Sequence, residues 1–263
     1  MPEGRRSRQE VVKNRLRAAH GLHARKQPLE TNMSFLERLI SFWLEGIAAI
    51  VGFLALVFYW WKLGIVRKYN HVIFFTGVVA IIATEISLNT GVTNSFQYSC
   101  IYLLNSICWG AFYYKVFNSR LKKNLAIGIA STTSIYFLYK NLFQDFDIIF
   151  NSVGQAISSF GIVLLVFIFF YQTLSEIKTG SLTSNFDFWL SSSQLVYHLG
   201  AFGIFLTFNH FTNKIFNTQH YSSENREILT YLWGVHNVLL FLASLLTWAG
   251  VLWIVYRRKS TSS

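Results

Sequence analysis

Charge is scarce in this chain of 263 residues. Asp, Glu, Lys and Arg together make up 13% of it, whereas about 25% is usual for a soluble globular domain. Proline and cysteine are also rare, with two residues of each. This composition excludes a soluble enzyme fold, a DNA-binding domain and a secreted disulfide scaffold.

Apolar residues are abundant, and they make up 52% of the chain. Seven apolar segments are each long enough to cross about 30 Å of hydrocarbon as a helix. The sequence therefore predicts an all-α, polytopic membrane protein, a seven-transmembrane helix bundle that occupies residues 33–259 and is followed by a short tail, 260–263. The predicted spans are 38–61, 71–90, 95–117, 123–143, 148–174, 186–208 and 227–256.

The basic residues predict how the bundle is oriented, because Lys and Arg concentrate on the cytoplasmic side of a membrane protein. With seven spans, one side carries 11 Lys or Arg residues and the other side carries four. We therefore predict an N-terminus outside, a C-terminus inside, and a location in the inner (plasma) membrane. The predicted loops are short, and the longest, 209–226, has 18 residues.

Residues 1–32 form a basic extension, with eight Lys or Arg residues against three Glu residues and a net charge of +5. Such a tail can bind anionic lipid or nucleic acid, or it can simply be solvated. Its charges would lie outside and remove the asymmetry just described. We therefore expect Met33 to be the natural start and 1–32 to be a disordered segment that is not native. The lipid bilayer is the expected partner of the chain, and nucleic acid is not.

Ionisable groups inside spans are costly and mark candidate functional sites. The candidates here are Glu45, Glu85, His198 and His236. A helix rises about 1.5 Å per residue, which places all four in the outer half of the membrane or near its midplane. Glu45 also lies close enough to the outer interface to reach it.

Amide and hydroxyl groups accompany these residues at helical spacing. Several helices could therefore turn polar faces towards one outward-opening cavity, and we select Glu85, Asn105, Gln194, His198 and His236 as its ligand or proton contacts. The alternative is that they only hold helices together through hydrogen bonds. One face of the third span carries Tyr98, Tyr102, Asn105 and Trp109, and one face of the sixth carries Ser191, Gln194 and His198.

The sequence lacks the motifs that several known chemistries require. The last span contains no lysine for a retinal Schiff base, and the chain has no phosphate-binding glycine loop and no nucleophile elbow. We therefore predict no catalytic residue and no particular cofactor, and we lean against an enzyme. A metal site stays open, because His210 and His220 could join the histidines of the spans.

Three sequence features point to a family. They are Ile101-Tyr102-x-x-Asn105, Phe188-Trp189 and Trp233-x-x-His236-Asn237. In their order along the chain they resemble a group of uncharacterised bacterial seven-helix membrane proteins, which are similar to the seven-span sensor regions of histidine kinases. The resemblance implies a sensor or receptor of unknown ligand that acts through a separate signalling partner. The alternatives are a small-solute or ion transporter and a structural or assembly subunit.

Overall fold

Seven α-helices make up most of the part of the chain that the computed structural model describes, which is residues 34, 36, 39–63, 69–88, 95–143, 152–176, 182–218 and 223–260. A π-helical turn, Leu39–Trp43, leads into the first helix, and a 3-10 turn, Leu182–Ser184, precedes the sixth. The all-helical prediction is confirmed for these residues. The predicted basic extension, 1–32, lies outside them. The helices are α1 (Leu44–Leu63), α2 (Asn70–Leu88), α3 (Ser95–Val116), α4 (Arg120–Phe143), α5 (Ser152–Glu176), α6 (Phe186–Thr218) and α7 (Ser223–Ser260).

Each predicted span coincides with one helix, but the predicted loop 209–226 is wrong. Helix α6 continues to Thr218 and α7 begins at Ser223. A helix satisfies its own backbone hydrogen bonds, so it can continue beyond the apolar segment into polar sequence. The chain has no proline after Pro28 that would end it.

Three helices are long and apolar enough to cross a membrane, namely α1 over Leu44–Lys62, α5 over Ser152–Glu176 and α7 over Glu227–Arg258. Helix α2 contains a shorter apolar stretch, Asn70–Ile86. These helices support membrane association. All seven helices also expose large apolar side chains, among them Leu54, Phe74, Ile107, Ile135, Phe167, Leu206 and Leu242.

The helices form a closed ring, because α7 packs against both α6 and α1. Helix α3 contacts α5 directly, which leaves α4 at the periphery, packed on those two helices. The buried side chains of α4 accordingly follow a single stripe, at positions i, i+7 and i+11. They are Ala126, Thr133 and Phe137. The Thr133 hydroxyl is satisfied within α4, because its Oγ1 donates to the Ile129 carbonyl at 2.8 Å.

A row of hydrogen bonds joins α7 to α1 and the turn before it. Three side chains of α7, spaced at i, i+7 and i+11, donate to backbone carbonyls of the neighbouring helix. The pairs are Asn237 Nδ2 with the Ile40 carbonyl at 2.9 Å, Ser244 Oγ with the Ala48 carbonyl at 2.8 Å, and Trp248 Nε1 with the Val51 carbonyl at 2.9 Å. In an apolar medium no water competes for these groups, so such bonds hold helices together.

Polar contacts also tie helix ends together at one end of the ring. The Tyr69 hydroxyl, just before α2, donates to Asp187 Oδ1 at 2.6 Å in the first turn of α6. Burial, and next the Asp187 carboxylate, raise the pKa of the Tyr69 hydroxyl, which therefore stays a donor. Asn118 Nδ2, between α3 and α4, donates to Glu176 Oε2 at the end of α5, at 2.8 Å.

We call this end of the ring the basic end. It contains the last turns of α1, α3, α5 and α7 and the first turns of α2, α4 and α6, so successive helices run in opposite directions. Seven Lys and Arg side chains of the described residues lie there, and none is buried. They are Lys62, Lys115, Arg120, Lys122, Lys123, Arg257 and Arg258.

One close approach of α7 to α6 depends on a glycine. A Cβ at Gly250 would overlap the Cβ and Cγ atoms of Trp189. The indole cannot easily give way, because its Nε1 donates to the Thr183 carbonyl at 2.9 Å. A Cβ at Gly203, also in a helix, would meet no atom within 4 Å.

We expect Gly250→Ala to lower the free energy of unfolding by about 1–3 kcal/mol through overpacking. The matched control Gly203→Ala should leave stability unchanged or raise it by up to about 1 kcal/mol, because alanine favours the helix. Unfolding of the purified protein in a mild detergent measures both variants. Equal effects of the two substitutions would contradict the close α6–α7 contact.

Candidate functional site

A cavity of about 130 Å³ lies inside the ring, lined by α1, α2, α3, α6 and α7. It is elongated, because Glu45 and Leu56 both line it and are separated by eleven residues of α1, roughly 16 Å at the usual helical rise. Glu45 stands in the first turn of α1. The cavity therefore reaches from the end of the ring opposite the basic end into its middle.

Helix α3 supplies one wall of the cavity. Its four residues at i, i+4, i+7 and i+11 are all buried, and all of them line the cavity. The prediction that they share one inward face is confirmed. They are Tyr98, Tyr102, Asn105 and Trp109.

Glu45 is the acidic group of the cavity, and its side chain is 7% exposed. The Tyr98 hydroxyl donates to its Oε2 at 2.8 Å. A carboxylate in the first turn also interacts favourably with the positive end of the helix dipole. The free-energy cost of burying this carboxylate is thus offset in part by one short hydrogen bond and by its position in the first turn of the helix.

His198 lines the cavity from α6 and is fully buried. Its Nδ1 lies 3.2 Å from Ser159 Oγ of α5, whereas its Nε2 has no hydrogen-bond partner among the described residues. A buried polar atom without a protein partner normally has a water molecule or a ligand beside it. His198 therefore adds an unmet hydrogen-bonding group to the wall of the cavity.

His236 of α7 is buried next to the cavity but does not line it. Its ring packs 4.9 Å from Trp233, 5.4 Å from Tyr197 and 5.2 Å from Phe205, measured between ring centroids. Its Nδ1 likewise lacks a hydrogen-bond partner within the described part of the chain. It supports Tyr197, which lines the cavity.

The structure brings three of the five selected residues to the cavity, namely Asn105, Gln194 and His198. Glu85 is elsewhere: it is exposed, whereas Ala83, two residues earlier, is buried at the cavity. Two residues correspond to about 200° around a helix, so a side chain that follows an inward one at this spacing points away. Glu85 is therefore removed from the candidate site.

Glu45 and Tyr197 belong to the cavity but were not among the selected residues. Glu45 is not selected from the sequence because its predicted position is close to the outer interface. Tyr197 carried a usable signal, because it follows Gln194 by three residues and therefore shares its helical face. The hydroxyl oxygens of Tyr197 on α6 and Tyr102 on α3 lie 3.4 Å apart.

Other buried polar groups act between helices, as the alternative interpretation expects. Ser106 Oγ of α3 lies 3.0 Å from Ser158 Oγ of α5. The Tyr113 hydroxyl donates to Ser191 Oγ of α6 at 3.3 Å. Ser191 is thus a helix contact, although it shares the predicted face of Gln194 and His198.

Metal binding finds no support in the described residues, where no three His, Cys, Asp or Glu side chains lie close enough to hold an ion. His210, one of the two histidines that could have completed a site, is exposed on α6. The other, His220, lies outside the described residues.

Known proteins give no further guidance. No family model matches the chain, and no curated protein or solved structure matches it. The resemblance to seven-helix sensor proteins therefore stays a prediction, and the functional argument rests on the cavity.

The hydrogen bond between Tyr98 and Glu45 can be measured with a double-mutant cycle. We expect Tyr98→Phe and Glu45→Met to be coupled by about 1.5–3 kcal/mol, the usual range for a hydrogen bond to a charged group. As a control, Tyr113→Phe, which removes a hydroxyl that bonds to Ser191 away from the cavity, should couple to Glu45→Met by less than about 0.5 kcal/mol, the usual limit for independent sites. Unfolding free energies of the variants give both values, and a coupling near zero for the first pair would rule out the bond.

Proposed function

We propose that the protein is a seven-span receptor or sensor of the cell's inner (plasma) membrane. It binds a small ligand in the outer half of the bundle and acts through a separate signalling partner at the basic end. The observation that carries the proposal is the cavity inside the ring, which Glu45 and His198 line together with amide and phenol groups from several helices. Concave sites of this kind, largely apolar with a few convergent polar groups, are typical of ligand pockets.

Seven spans are supported by length and by the exposed surface. Helix α2, the shortest, has 19 residues, which is within the range of about 17–25 that a span requires. All seven helices expose large apolar side chains. Part of the low apolarity of α3 and α6 comes from polar side chains that line the cavity, among them Asn105, Gln194 and His198.

The orientation follows from the basic end. Seven basic side chains of the described residues lie there. A concentration of Lys and Arg at one end of a helix bundle is typical of the cytoplasmic side. The cavity then lies nearer the outer surface, from which the ligand would enter. The basic end faces the cytoplasm and offers a charged surface to a signalling partner.

A receptor is favoured over the transporter alternative by what lies between the cavity and the basic end. Tyr59 and Phe186 stack there with ring centroids 3.9 Å apart, and Tyr69 packs edge-on against both rings. These side chains belong to the larger buried cluster, which also contains Phe112 and Phe169. A solute would have to displace this packed layer to leave on the cytoplasmic side.

Topology is tested with a thiol reagent that does not cross membranes. In a Cys100→Ala/Cys108→Ala background, we compare Ser184→Cys, just before α6, with Glu227→Cys, near the start of α7; both residues are exposed. Intact cells should show labelling at position 227 and none at 184 until they are permeabilised. Labelling of both positions in intact cells would mean that α6 does not span the membrane, and labelling of 184 alone would reverse the orientation.

Ligand binding is tested by native mass spectrometry, with metal analysis, on the purified full chain. We expect a bound small molecule that is lost in the His198→Ala/His236→Ala variant, because the variant removes the unpartnered nitrogen and the ring that supports Tyr197. His210→Ala, which changes an exposed histidine of α6, is the matched control and should keep the molecule. Equal folding and a ligand-free mass for all three proteins would reduce the histidines to packing residues and overturn the proposal.

A further inference from the structure

The formal charge of the cavity is of one sign only, among the residues that the structure describes. Among its described lining residues Glu45 is the only one with a formal charge, and none is Lys or Arg. Tyr98 provides it with one neutral donor. A buried carboxylate is stabilised strongly by a cation and only weakly by a neutral group. A positively charged ligand would complete this site, whereas an anionic one would be repelled.

The walls of the cavity are rich in aromatic rings. Six line it, from four different helices, and aromatic faces attract cations when water is excluded. Three of the rings are close to the carboxylate, since Tyr98 bonds to Glu45 and Tyr102 and Tyr197 interact with it electrostatically. Aromatic rings beside a carboxylate favour an ammonium group that carries carbon substituents, because such a group is large and weakly hydrated. The six are Phe53, Phe75, Tyr98, Tyr102, Trp109 and Tyr197.

The volume limits the size of the ligand. A cavity of about 150 Å³ in another protein holds benzene, so 130 Å³ has room for a small ligand of roughly six non-hydrogen atoms. A bare metal ion would leave most of that space empty, and the described residues hold no cluster of metal ligands.

Polar atoms away from Glu45 predict a second group on the ligand. His198 is fully buried and Asn105 is 8% exposed, and both line the cavity. A hydroxyl can exchange hydrogen bonds with amide and imidazole side chains such as these. The ligand would therefore carry a polar group as well as its charge.

We propose that the cavity binds a small monovalent organic cation, an alkylammonium ion that carries a hydroxyl or a similar polar group. This inference rests on the proposed function and names the class of its ligand. The ammonium group lies at the Glu45 carboxylate between the aromatic rings, and the polar group reaches His198. No covalent step is involved.

The inference is tested with choline and its uncharged carbon analogue, 3,3-dimethylbutan-1-ol, which has the same shape and hydroxyl. Binding to the full chain in lipid nanodiscs is followed by titration calorimetry. We expect choline to bind at least about tenfold more tightly than the analogue, because the analogue loses the charge interactions with the carboxylate and the rings. Equal affinities would overturn the inference without any variant, and so without any concern about folding.

A pair of variants assigns the charge to one residue. Glu45→Gln keeps an oxygen that can accept from Tyr98, and we expect it to weaken choline binding at least about tenfold. The matched control Glu85→Gln removes a carboxylate from the exposed face of α2 and should bind choline like the parent. Equal losses in the two variants would show an effect of overall charge and would overturn the assignment.

Failure of this inference differs from failure of the proposed function. If neither compound binds, but native mass spectrometry finds another molecule that depends on His198 and His236, the cation class is wrong and the receptor proposal stands. If neither compound binds and no molecule is found, both are wrong.

Discussion

The structure depends on the closure of the helix ring, which is made by donors of α7 and backbone carbonyls of α1 and the turn before it. Asn237, Ser244 and Trp248 each donate to a carbonyl oxygen of the neighbouring helix. Polar groups in an apolar medium must find partners within the protein, because water is absent. The same bonds that satisfy α7 therefore hold the first and last helices together, and the cavity between the helices exists only because the ring is closed.

This constraint also separates structural polar groups from candidate ligand contacts. The Ser106–Ser158 and Tyr113–Ser191 pairs satisfy each other across helix contacts, and they need nothing further. At the cavity the balance is different, since His198 bonds to Ser159 through one nitrogen while the other has no partner in the described residues. An unmet hydrogen-bonding group in the wall of a cavity is a physical indication that the wall takes part in binding.

The two ends of the ring have different characters, and α6 connects them. At the basic end Asp187 accepts from Tyr69, and the stacked Tyr59 and Phe186 close the interior. Three turns further along the same helix, His198 faces the cavity. A site towards one end of the ring and a packed, charged opposite end fit the receptor that we propose. Helix α6 carries residues of both the cavity and the basic end.

The sequence by itself determined the helices and the pattern along each one. Apolar segments located all seven helices, and the helical period placed Tyr98, Tyr102, Asn105 and Trp109 on one face. Periodicity states which residues share a face, but it does not state what that face meets. Only the tertiary structure decided that Glu45 lines the cavity, that Glu85 is exposed, and that Ser191 bonds to Tyr113. Those outcomes depend on how each helix is rotated against its neighbours, which is set by contacts between residues far apart in the chain.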